Sequence, residues 1–421
     1  MDIDTTASQL MAAVEARNVP EIKRLMIILD LRVEGEKIIP NNPSIYEERA
    51  KYWDFRQLAR KILLNSLYGA LLNPSLRFAD ERLGQSTTLT GRSIVRHMNA
   101  KTNETITGEY DYRGRAIVYA DTDSCYFSAW EALHDDREFE FDWSNRDAIV
   151  ELYDGIAMVV NESFPEFMAK TFNTGLKRGA IIKAGRELVA STGLFIKKKK
   201  YGLLKYDDEG KRLDVNGSPG KLKAMGLDLK RADTPKIMQK FLEKVLMDVL
   251  QGAGRDDIFA QVRQFREDFK PLNAWEKGSP KAVKGLSKYA EVVRQKQTVS
   301  PTDTHVGKIS NTIPQQVTAS MNWNRLCDVY HDKYAMRITD GSRIVICRLR
   351  PNNNTRMEAV AYPIDEPHLP DWFKKLPFDE PRMEQIIIDK KLDNLLGVLD
   401  WDLKQTKIRP ADEFFIFPSK K

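Results

Sequence analysis

The spacing of apolar residues predicts long amphipathic helices in the first quarter of the chain. Residues 1–36 and 44–72 place apolar side chains at helical intervals, and Pro40-Asn41-Asn42-Pro43 interrupts the pattern between them. Ser44 is the expected N-cap of the second helix. Another helix is predicted over residues 88–106, so helices dominate this part of the chain.

The periodicity changes after residue 106, where alternating apolar positions predict strands. Residues 116–119 and 124–128 are expected to be two strands on either side of an acidic turn. A helix is predicted over residues 147–170. Three more short segments have the composition of strands, namely residues 180–183, 188–190 and 201–206. The middle of the chain is therefore expected to combine hairpins with helices.

The last part of the chain returns to helical spacing with a shorter pair of strands. Asp233-Thr234-Pro235 is the predicted start of an amphipathic helix, with the aspartate as cap and the proline at the first position. Residues 275–320 are polar and irregular. Residues 343–349 and 357–362 predict two strands, and short helices are expected to follow them.

Composition limits the class of protein. At 421 residues the chain is long enough for two or three domains. A charged share of 30%, a mean hydropathy of −0.47 and the lack of any stretch of about 20 apolar residues argue against a membrane protein. The acidic N-terminus has no apolar signal core. The widely spaced Cys125, Cys327 and Cys347 form no Cys-x-x-Cys pattern, which indicates a reducing compartment.

Positive charge is concentrated in one block. Residues 177–231 contain 15 Lys and Arg against 6 Asp and Glu, a net charge of +9, whereas the whole chain carries +6. A basic block in an otherwise slightly acidic protein indicates a polyanion such as nucleic acid as partner. Charge alone leaves a solvated lysine-rich face equally open.

Asp121 and Asp123 are candidate metal ligands in the acidic turn. In an extended chain, residues two apart point to the same side, so the two carboxylates could share one face of a hairpin tip. Carboxylate oxygens suit Mg²⁺, which is usually held by one or two carboxylates together with substrate phosphates. The alternative is an ordinary solvent-exposed turn, because Asp is common in turns.

Lys61, Asn65 and Tyr68 stand at helical intervals and share one face of the second long helix. A cation, an amide and an aromatic ring on one stripe could face a triphosphate and a base. The alternative is that these residues form a partly exposed packing face, because a stripe of residues on one side of a helix usually reflects packing.

Three strings together resemble motifs of family B DNA polymerases. Residues 119–124 resemble the Y-x-D-T-D-S motif of the palm, with Ala120 where the family often has glycine. Residues 61–69 resemble the K-x-x-x-N-S-x-Y-G motif of the fingers. Residues 197–202 resemble the K-K-x-Y motif that contacts the primer–template. The resemblance covers about residues 20–421, and it implies a polymerase of the T-even-like phage type.

The resemblance assigns roles to individual residues. It implies that Asp123 and Asp121 are catalytic metal ligands and that Lys61 is a catalytic contact to the triphosphate. The implied nucleotide pocket consists of Lys61, Asn65, Tyr68 and Gly69. The residues implied to contact the primer–template backbone are Lys198, Lys199, Lys200 and Tyr201. Glu187 resembles a third palm carboxylate, with an ion pair to a neighbour such as Arg186 as the alternative. Gly185 stands where some relatives have an acidic residue.

The resemblance also implies an α+β fold and a domain order. The fold would comprise a palm with an antiparallel sheet, a helical fingers segment and a mostly helical thumb. The expected domains are residues 1–75 as the C-terminal half of the fingers, 76–225 as palm, 226–410 as thumb and 411–421 as a clamp-binding tail. In that tail Phe414, Phe415, Ile416 and Phe417 would contact a sliding clamp, with docking on the thumb as the alternative.

Two motifs of the family are not found. There is no D-x-x-S-L-Y-P string, which carries another metal aspartate, and no exonuclease D-x-E in its usual context. The chain is therefore expected to be a fragment or one chain of a split polymerase, whose partner supplies the exonuclease and that aspartate.

The expected activity is Mg²⁺-dependent DNA-directed DNA synthesis, with Mn²⁺ as an alternative cation. The expected partners are primer–template DNA, deoxynucleoside triphosphates, an N-terminal polymerase chain and a sliding clamp, with no membrane. The expected location is the cytoplasm of a phage-infected bacterium. Two alternatives stay open: a non-enzymatic DNA-binding or clamp-tethering relic, and another palm enzyme such as a reverse transcriptase.

Overall fold

The computed structural model describes residues 3–35, 37–134, 140–290 and 313–407. Contacts divide the chain into two compact units, Met1–Arg96 and His97–Lys421. Within these described ranges, no helix is both long enough and apolar enough to cross a membrane. The predicted clamp-binding residues 414–417 lie outside the described part of the chain.

The first unit consists of helices and one small hairpin. Its elements are α1 (Ile3–Glu15), α2 (Val19–Ile28), β1 (Leu31–Glu34), β2 (Lys37–Pro40), α3 (Pro43–Leu71) and the first part of α4 (Glu81–Thr107). Leu10, Leu25 and Leu29 form its small core between α1 and α2. The 29-residue helix α3 contributes no buried side chain among those the structure describes.

The helix predicted over residues 1–36 ends early, because residues 31–40 form the hairpin β1–β2. Gly35 adopts a positive φ of 63° in its turn, and β-branched Val33, Ile38 and Ile39 suit strands. The predicted helix over residues 44–72 is confirmed, but its cap is not Ser44. The side chain of Asn42 accepts the backbone N–H of Ser44 instead.

The second unit begins with a hairpin packed among helices. Its first elements are the rest of α4, β3 (Ile117–Asp121), β4 (Ser124–Phe127), α5 (Trp130–Leu133), α6 (Arg146–Phe172) and α7 (Leu176–Gly179). Ile106, Ala116, Ala129 and Ile156 form the buried core beneath the hairpin. The strand predicted over residues 180–183 is absent; residues 180 and 181 form a turn after α7, and residues 182 and 183 belong to no helix or strand.

A four-stranded antiparallel sheet follows. It contains β5 (Leu188–Lys197), β6 (Lys200–Asp208), β7 (Lys211–Arg212) and β8 (Lys221–Met225). β6 is central, with β5 on one edge and both β7 and β8 on the other. Helix α8 (Lys236–Leu250) lies against this sheet, where a side chain at Gly202 would overlap the side chain of Leu246.

A helical core covers the sheet. It combines α8 with α9 (Arg255–Phe269), a π-helical segment (Gln385–Asp389) and the helix Lys390–Leu396. Asp233, the predicted cap of α8, instead pairs with Arg231 and Lys281. The Arg231 guanidinium beside Asp233 holds the pKa of that carboxyl well below its usual range.

Residues 274–290 and 313–378 contribute a separate hydrophobic core, and in the chain they lie between the two parts of the helical core. The elements of the separate core are β9 (Ser279–Ala282), α10 (Gln315–Val329), β10 (Arg343–Arg348), β11 (Ala359–Pro363) and α11 (Asp371–Lys374). Two helices follow in the chain: α12 (Glu380–Glu384), and α13 (Lys390–Leu396), which belongs to the helical core. The strands form an antiparallel sheet in the order β11-β10-β9 around buried Trp323. Helices combined with antiparallel sheets confirm the α+β class.

Candidate active site

The acidic turn is a tight hairpin. Strands β3 and β4 pair antiparallel, with Asp121 opposite Ser124, so that Thr122 and Asp123 form the turn. Thr122 has a φ of 51°, which is rare for a β-branched residue and is strained. Hydrogen bonds hold this geometry: the Ser124 hydroxyl donates to the Asp121 carbonyl oxygen at 3.1 Å, and the Asp123 N–H donates to it at 2.6 Å.

The two aspartates of the turn have different surroundings. Asp121 ends β3, and its carboxylate is 25% exposed and lies 3.6 Å from Nζ of Lys199. Asp123 is exposed and lines a cleft of about 550 Å³ along β4 and β5. The expectation that Asp121 and Asp123 share one face assumed an extended strand through both residues. Asp123 lies beyond the end of β3, so strand alternation does not set the direction of its side chain.

The donor atoms of the turn fit a hard divalent cation. Asp121 and Asp123 offer carboxylate oxygens, and Mg²⁺ needs only one or two carboxylates when substrate phosphates complete its shell. Within the described ranges, no group of three or more acidic, histidine or cysteine side chains is gathered closely enough to hold a metal ion. The neighbouring Cys125 is no candidate nucleophile, because burial raises its pKa to about 12.

A second hairpin brings lysines to the acidic turn. Lys197 at the end of β5 pairs with Lys200 at the start of β6, so that Lys198 and Lys199 form a two-residue turn. Both turn residues are exposed, and Lys199 has a φ of 63°. We call this segment, residues 197–200, the lysine turn. Its carbonyl at Lys199 lies so close to Gly226 that any side chain at Gly226 would overlap it.

Four aromatic rings join the two hairpins. Tyr119 and Tyr126 from the acidic hairpin pack with Phe195 and Tyr201 from the lysine hairpin, with ring centroids 5.2–6.0 Å apart. The hydroxyls of Tyr126 and Tyr201 share a hydrogen bond of 2.9 Å. The Tyr119 hydroxyl accepts the backbone N–H of Lys199 at 2.9 Å. We call these four residues the aromatic cluster.

Tyr201 is buried within the aromatic cluster, although the sequence predicts that it contacts DNA. Its side chain is only 7% exposed, and burial raises the pKa of its hydroxyl well above the usual value. Tyr201 therefore supports the lysine turn from inside, while Lys198 and Lys199 reach the solvent. The sequence assigned no role to Tyr126 or Phe195, and Tyr119 entered only as the first residue of the Y-x-D-T-D-S motif. The aromatic residues close to both turns were the available signal.

Glu187 lies in the cleft that Asp123 also lines. It is exposed, and its carboxylate is 3.7 Å from Nζ of Lys223. Arg186, the neighbour considered as its partner, instead pairs with Asp154 and, at 2.5 Å, with Asp207. Glu187 is thus open to the same cleft as Asp123, but among the described residues it does not join the two aspartates in a cluster of three carboxylates.

Lys61, Asn65 and Tyr68 lie on α3 in the first unit, as predicted, and all three are exposed. Lys61 and Asn65 line a groove of about 570 Å³ together with Trp53, Asp54, Arg56, Gln57, Arg60 and Leu64. The Tyr68 hydroxyl lies 2.7 Å from the Thr88 hydroxyl. A side chain at Gly69 would meet no atom within 4 Å. Arg56 and Arg60, which were not predicted from the sequence, add positive charge to this groove.

Comparisons with known proteins agree with these features. The sequence model described as DNA polymerase family B matches residues 22–137. The chain is 27% identical over 322 residues to the DNA-directed DNA polymerase of Escherichia phage RB69, which covers 73% of this chain and 33% of that protein. It is 26% identical over 289 residues to the DNA-directed DNA polymerase of Enterobacteria phage T4, and the match covers 64% of this chain and 31% of that protein.

More distant relatives extend beyond phages. The chain is 25% identical over 217 residues to DNA polymerase 1 of Pyrococcus abyssi, covering 52% of this chain and 22% of that protein. The chain thus spans about a third of the length of the phage relatives it matches.

Proposed function

We propose that this chain, which belongs to the family B DNA polymerases, forms part of the active site of a DNA-directed DNA polymerase that extends a primer 3′ end. The observation that carries the proposal is the approach of the acidic turn to the lysine turn, with Lys199 3.6 Å from Asp121. Primer extension needs carboxylates for a divalent cation beside a cationic grip on the primer backbone.

In the proposed reaction, the primer 3′-hydroxyl attacks the α-phosphorus of a deoxynucleoside triphosphate. A divalent cation, Mg²⁺ or alternatively Mn²⁺, would stabilise the attacking and leaving oxygens. Asp123 is the proposed principal ligand because it is exposed at the turn and faces the cleft. Asp121 is its neighbour, and Glu187 is a candidate third carboxylate in the same cleft.

The lysine turn is proposed to bind the primer–template backbone. Lys198 and Lys199 are exposed at the tip, and Lys200 is half-buried beside them. Phosphate contacts of this kind position a duplex without reading its sequence, as a replicating enzyme requires. Tyr201 would act indirectly, by supporting the turn through the aromatic cluster.

The groove on α3 is proposed to receive the triphosphate. Lys61 stands there with Arg56 and Arg60, so three cations line one stretch of helix that also presents Asn65. Cations placed in advance can stabilise charge that develops on transferring phosphates. Tyr68 is proposed to pack beside the new base pair, with Gly69 allowing close approach.

We further propose that the active enzyme includes polypeptide beyond this chain. Leu63 and Leu67 stand four residues apart on one face of α3 and are 70% and 62% exposed, and exposed apolar surface of this kind usually marks an interface. The covering polypeptide would carry the exonuclease and the further metal aspartate. The partnership with a sliding clamp through residues 414–417, and action in the cytoplasm of an infected bacterium, belong to the same proposal.

Primer extension tests the proposal. The full chain is assayed alone and mixed with the polypeptide encoded beside it, on DNA and on RNA templates with Mg²⁺. We expect negligible synthesis alone and DNA-templated synthesis in the mixture. Asp123→Asn should abolish that synthesis, whereas Asp256→Asn, an exposed aspartate of α9, should preserve it.

Each other outcome contradicts a different part of the proposal. Full activity of Asp123→Asn in the mixture would refute the metal assignment. Robust synthesis by the chain alone would refute the need for further polypeptide. DNA binding without synthesis under any of these conditions would favour the non-enzymatic alternative, and a preference for RNA templates would favour a reverse transcriptase.

A further inference from the structure

We propose that the Tyr119 hydroxyl is a positioning group that fixes the lysine turn against the acidic turn and thereby sets where the primer backbone is gripped. This inference rests on the proposed function. Its central observation is the hydrogen bond of 2.9 Å from the backbone N–H of Lys199 to the Tyr119 hydroxyl, between residues 80 positions apart in the chain.

The hydrogen bond acts on a residue whose backbone is unusual. Lys199 has a φ of 63°, a left-handed conformation that disfavours L-residues and needs support from its surroundings. Its N–H is held by Tyr119, and its carbonyl is confined on the other side by Gly226. The peptide groups on both sides of the Lys199 Cα atom are therefore fixed, which fixes the direction in which its side chain leaves the turn.

Tyr119 is itself held in place relative to the carboxylates. It lies on β3 two positions before Asp121, so both side chains project from the same face of the strand. Its ring packs against Tyr126, Phe195 and Tyr201 at centroid distances of 6.0, 5.9 and 5.7 Å. A hydroxyl on such a ring has little freedom, so it transmits the position of the acidic turn to the lysine turn.

The hydrogen bond from Lys199 to Tyr119 controls the distance between the phosphate-binding lysine turn and the cation-binding acidic turn. A phosphate bound by Lys199 and a cation bound at the acidic turn must stand at a fixed separation for a primer 3′-hydroxyl to be presented correctly, since small misplacements are costly in catalysis. Packing of the ring alone would stabilise the hairpins, but it would not hold the Lys199 amide. The hydroxyl supplies that added constraint.

Tyr119→Phe separates packing of the ring from the hydrogen bond to the Lys199 amide, because it keeps the ring and removes only the hydroxyl. The test measures affinity of the full chain for a primer–template duplex across a range of salt concentrations. The variants are Tyr119→Phe, Lys199→Ala and the double variant. Tyr153→Phe is the matched control, because the Tyr153 hydroxyl likewise accepts a backbone N–H, but from Ala129 at 3.3 Å and not from the lysine turn.

We expect Tyr119→Phe to weaken binding about threefold to tenfold, the range for one lost hydrogen bond. In the Lys199→Ala background the same change should have almost no effect, because the side chain that it positions is gone. Tyr153→Phe should leave affinity and salt dependence unchanged. A general loss of fold would instead weaken binding equally in both backgrounds.

Additive effects of Tyr119→Phe and Lys199→Ala would overturn the inference, as would equal weakening by Tyr153→Phe. Unchanged affinity in Tyr119→Phe, with salt-dependent binding by the parent chain, would overturn this inference and leave the proposed function standing. Absence of any salt-dependent binding by the parent chain would overturn the DNA-binding part of the proposed function and this inference together.

Discussion

Replacement of Gly226 by alanine offers a sharp test of how the lysine turn is held. Gly226 follows β8 with a φ of 64°, and a methyl group there would overlap the carbonyl oxygen of Lys199. Two penalties therefore apply to Gly226→Ala. One is the left-handed backbone of an L-residue, and the other is displacement of the lysine turn.

The two penalties have different sizes and can be separated. A left-handed conformation costs an L-residue about 1–2 kcal/mol. Forcing an extra carbon into a closely packed site costs about 1–3 kcal/mol more. Gly210 provides the control, because it has a φ of 84° in the turn between β6 and β7, and no atom lies within 4 Å of a methyl group there. Gly210→Ala should therefore show the first penalty only.

Urea denaturation of the two variants gives the comparison, because the free energy of unfolding reports both penalties. Gly226→Ala should be less stable than Gly210→Ala by about 1–3 kcal/mol. It should also bind primer–template more weakly, because the carbonyl that must move belongs to Lys199. Equal stability and equal DNA affinity of the two variants would show that Gly226 does not confine the lysine turn.

Further predictions concern the proposed contacts and one buried histidine. Lys199→Ala should weaken binding equally for all DNA sequences and reduce the salt slope of the affinity by about 1, measured by titration at several salt concentrations; an unchanged slope would leave Lys199 as a solvated side chain. Deletion of residues 412–421 should preserve single-nucleotide insertion by the complete enzyme but abolish stimulation by a sliding clamp on long templates; full stimulation would refute the tail assignment. His97 stacks on Phe167, and burial lowers its pKa, so the folded state disfavours the charged ring. Stability should therefore fall as the pH drops below about 6.5, and His97→Gln should reduce that dependence in urea denaturation at pH 7.5 and 5.5; an equal pH dependence in both proteins would contradict it.

Local patterns in the sequence predicted many elements correctly because their causes are local. Alternating apolar residues around an acidic pair predicted the hairpin β3–β4, and helical spacing predicted α3 and its stripe of Lys61, Asn65 and Tyr68. The caps were less well predicted. Asn42 and Ser44 are both good capping residues, and Asn42 is the one that caps α3. Asp233 does not cap its helix, because its carboxylate forms ion pairs with Arg231 and Lys281.

The segment over residues 31–40 shows where local patterns mislead. The predicted helical spacing extended to residue 36, yet Gly35 turns the chain and residues 31–34 pair with residues 37–40. Periodicity over so few residues does not separate a helix from a hairpin, and β-branched side chains together with a glycine favour the hairpin.

The sequence by itself determined which residues carry charge and predicted the hairpin around Asp121 and Asp123, but it did not predict that Lys198 and Lys199 form the turn between β5 and β6. Only the tertiary structure decided that the two turns meet. Contacts between positions about 80 residues apart depend on how both hairpins pack, and no local periodicity encodes that packing. The aromatic cluster supplies the physical reason, because burying its four rings together brings Lys199 to Asp121 and gives Tyr119 its hydrogen bond.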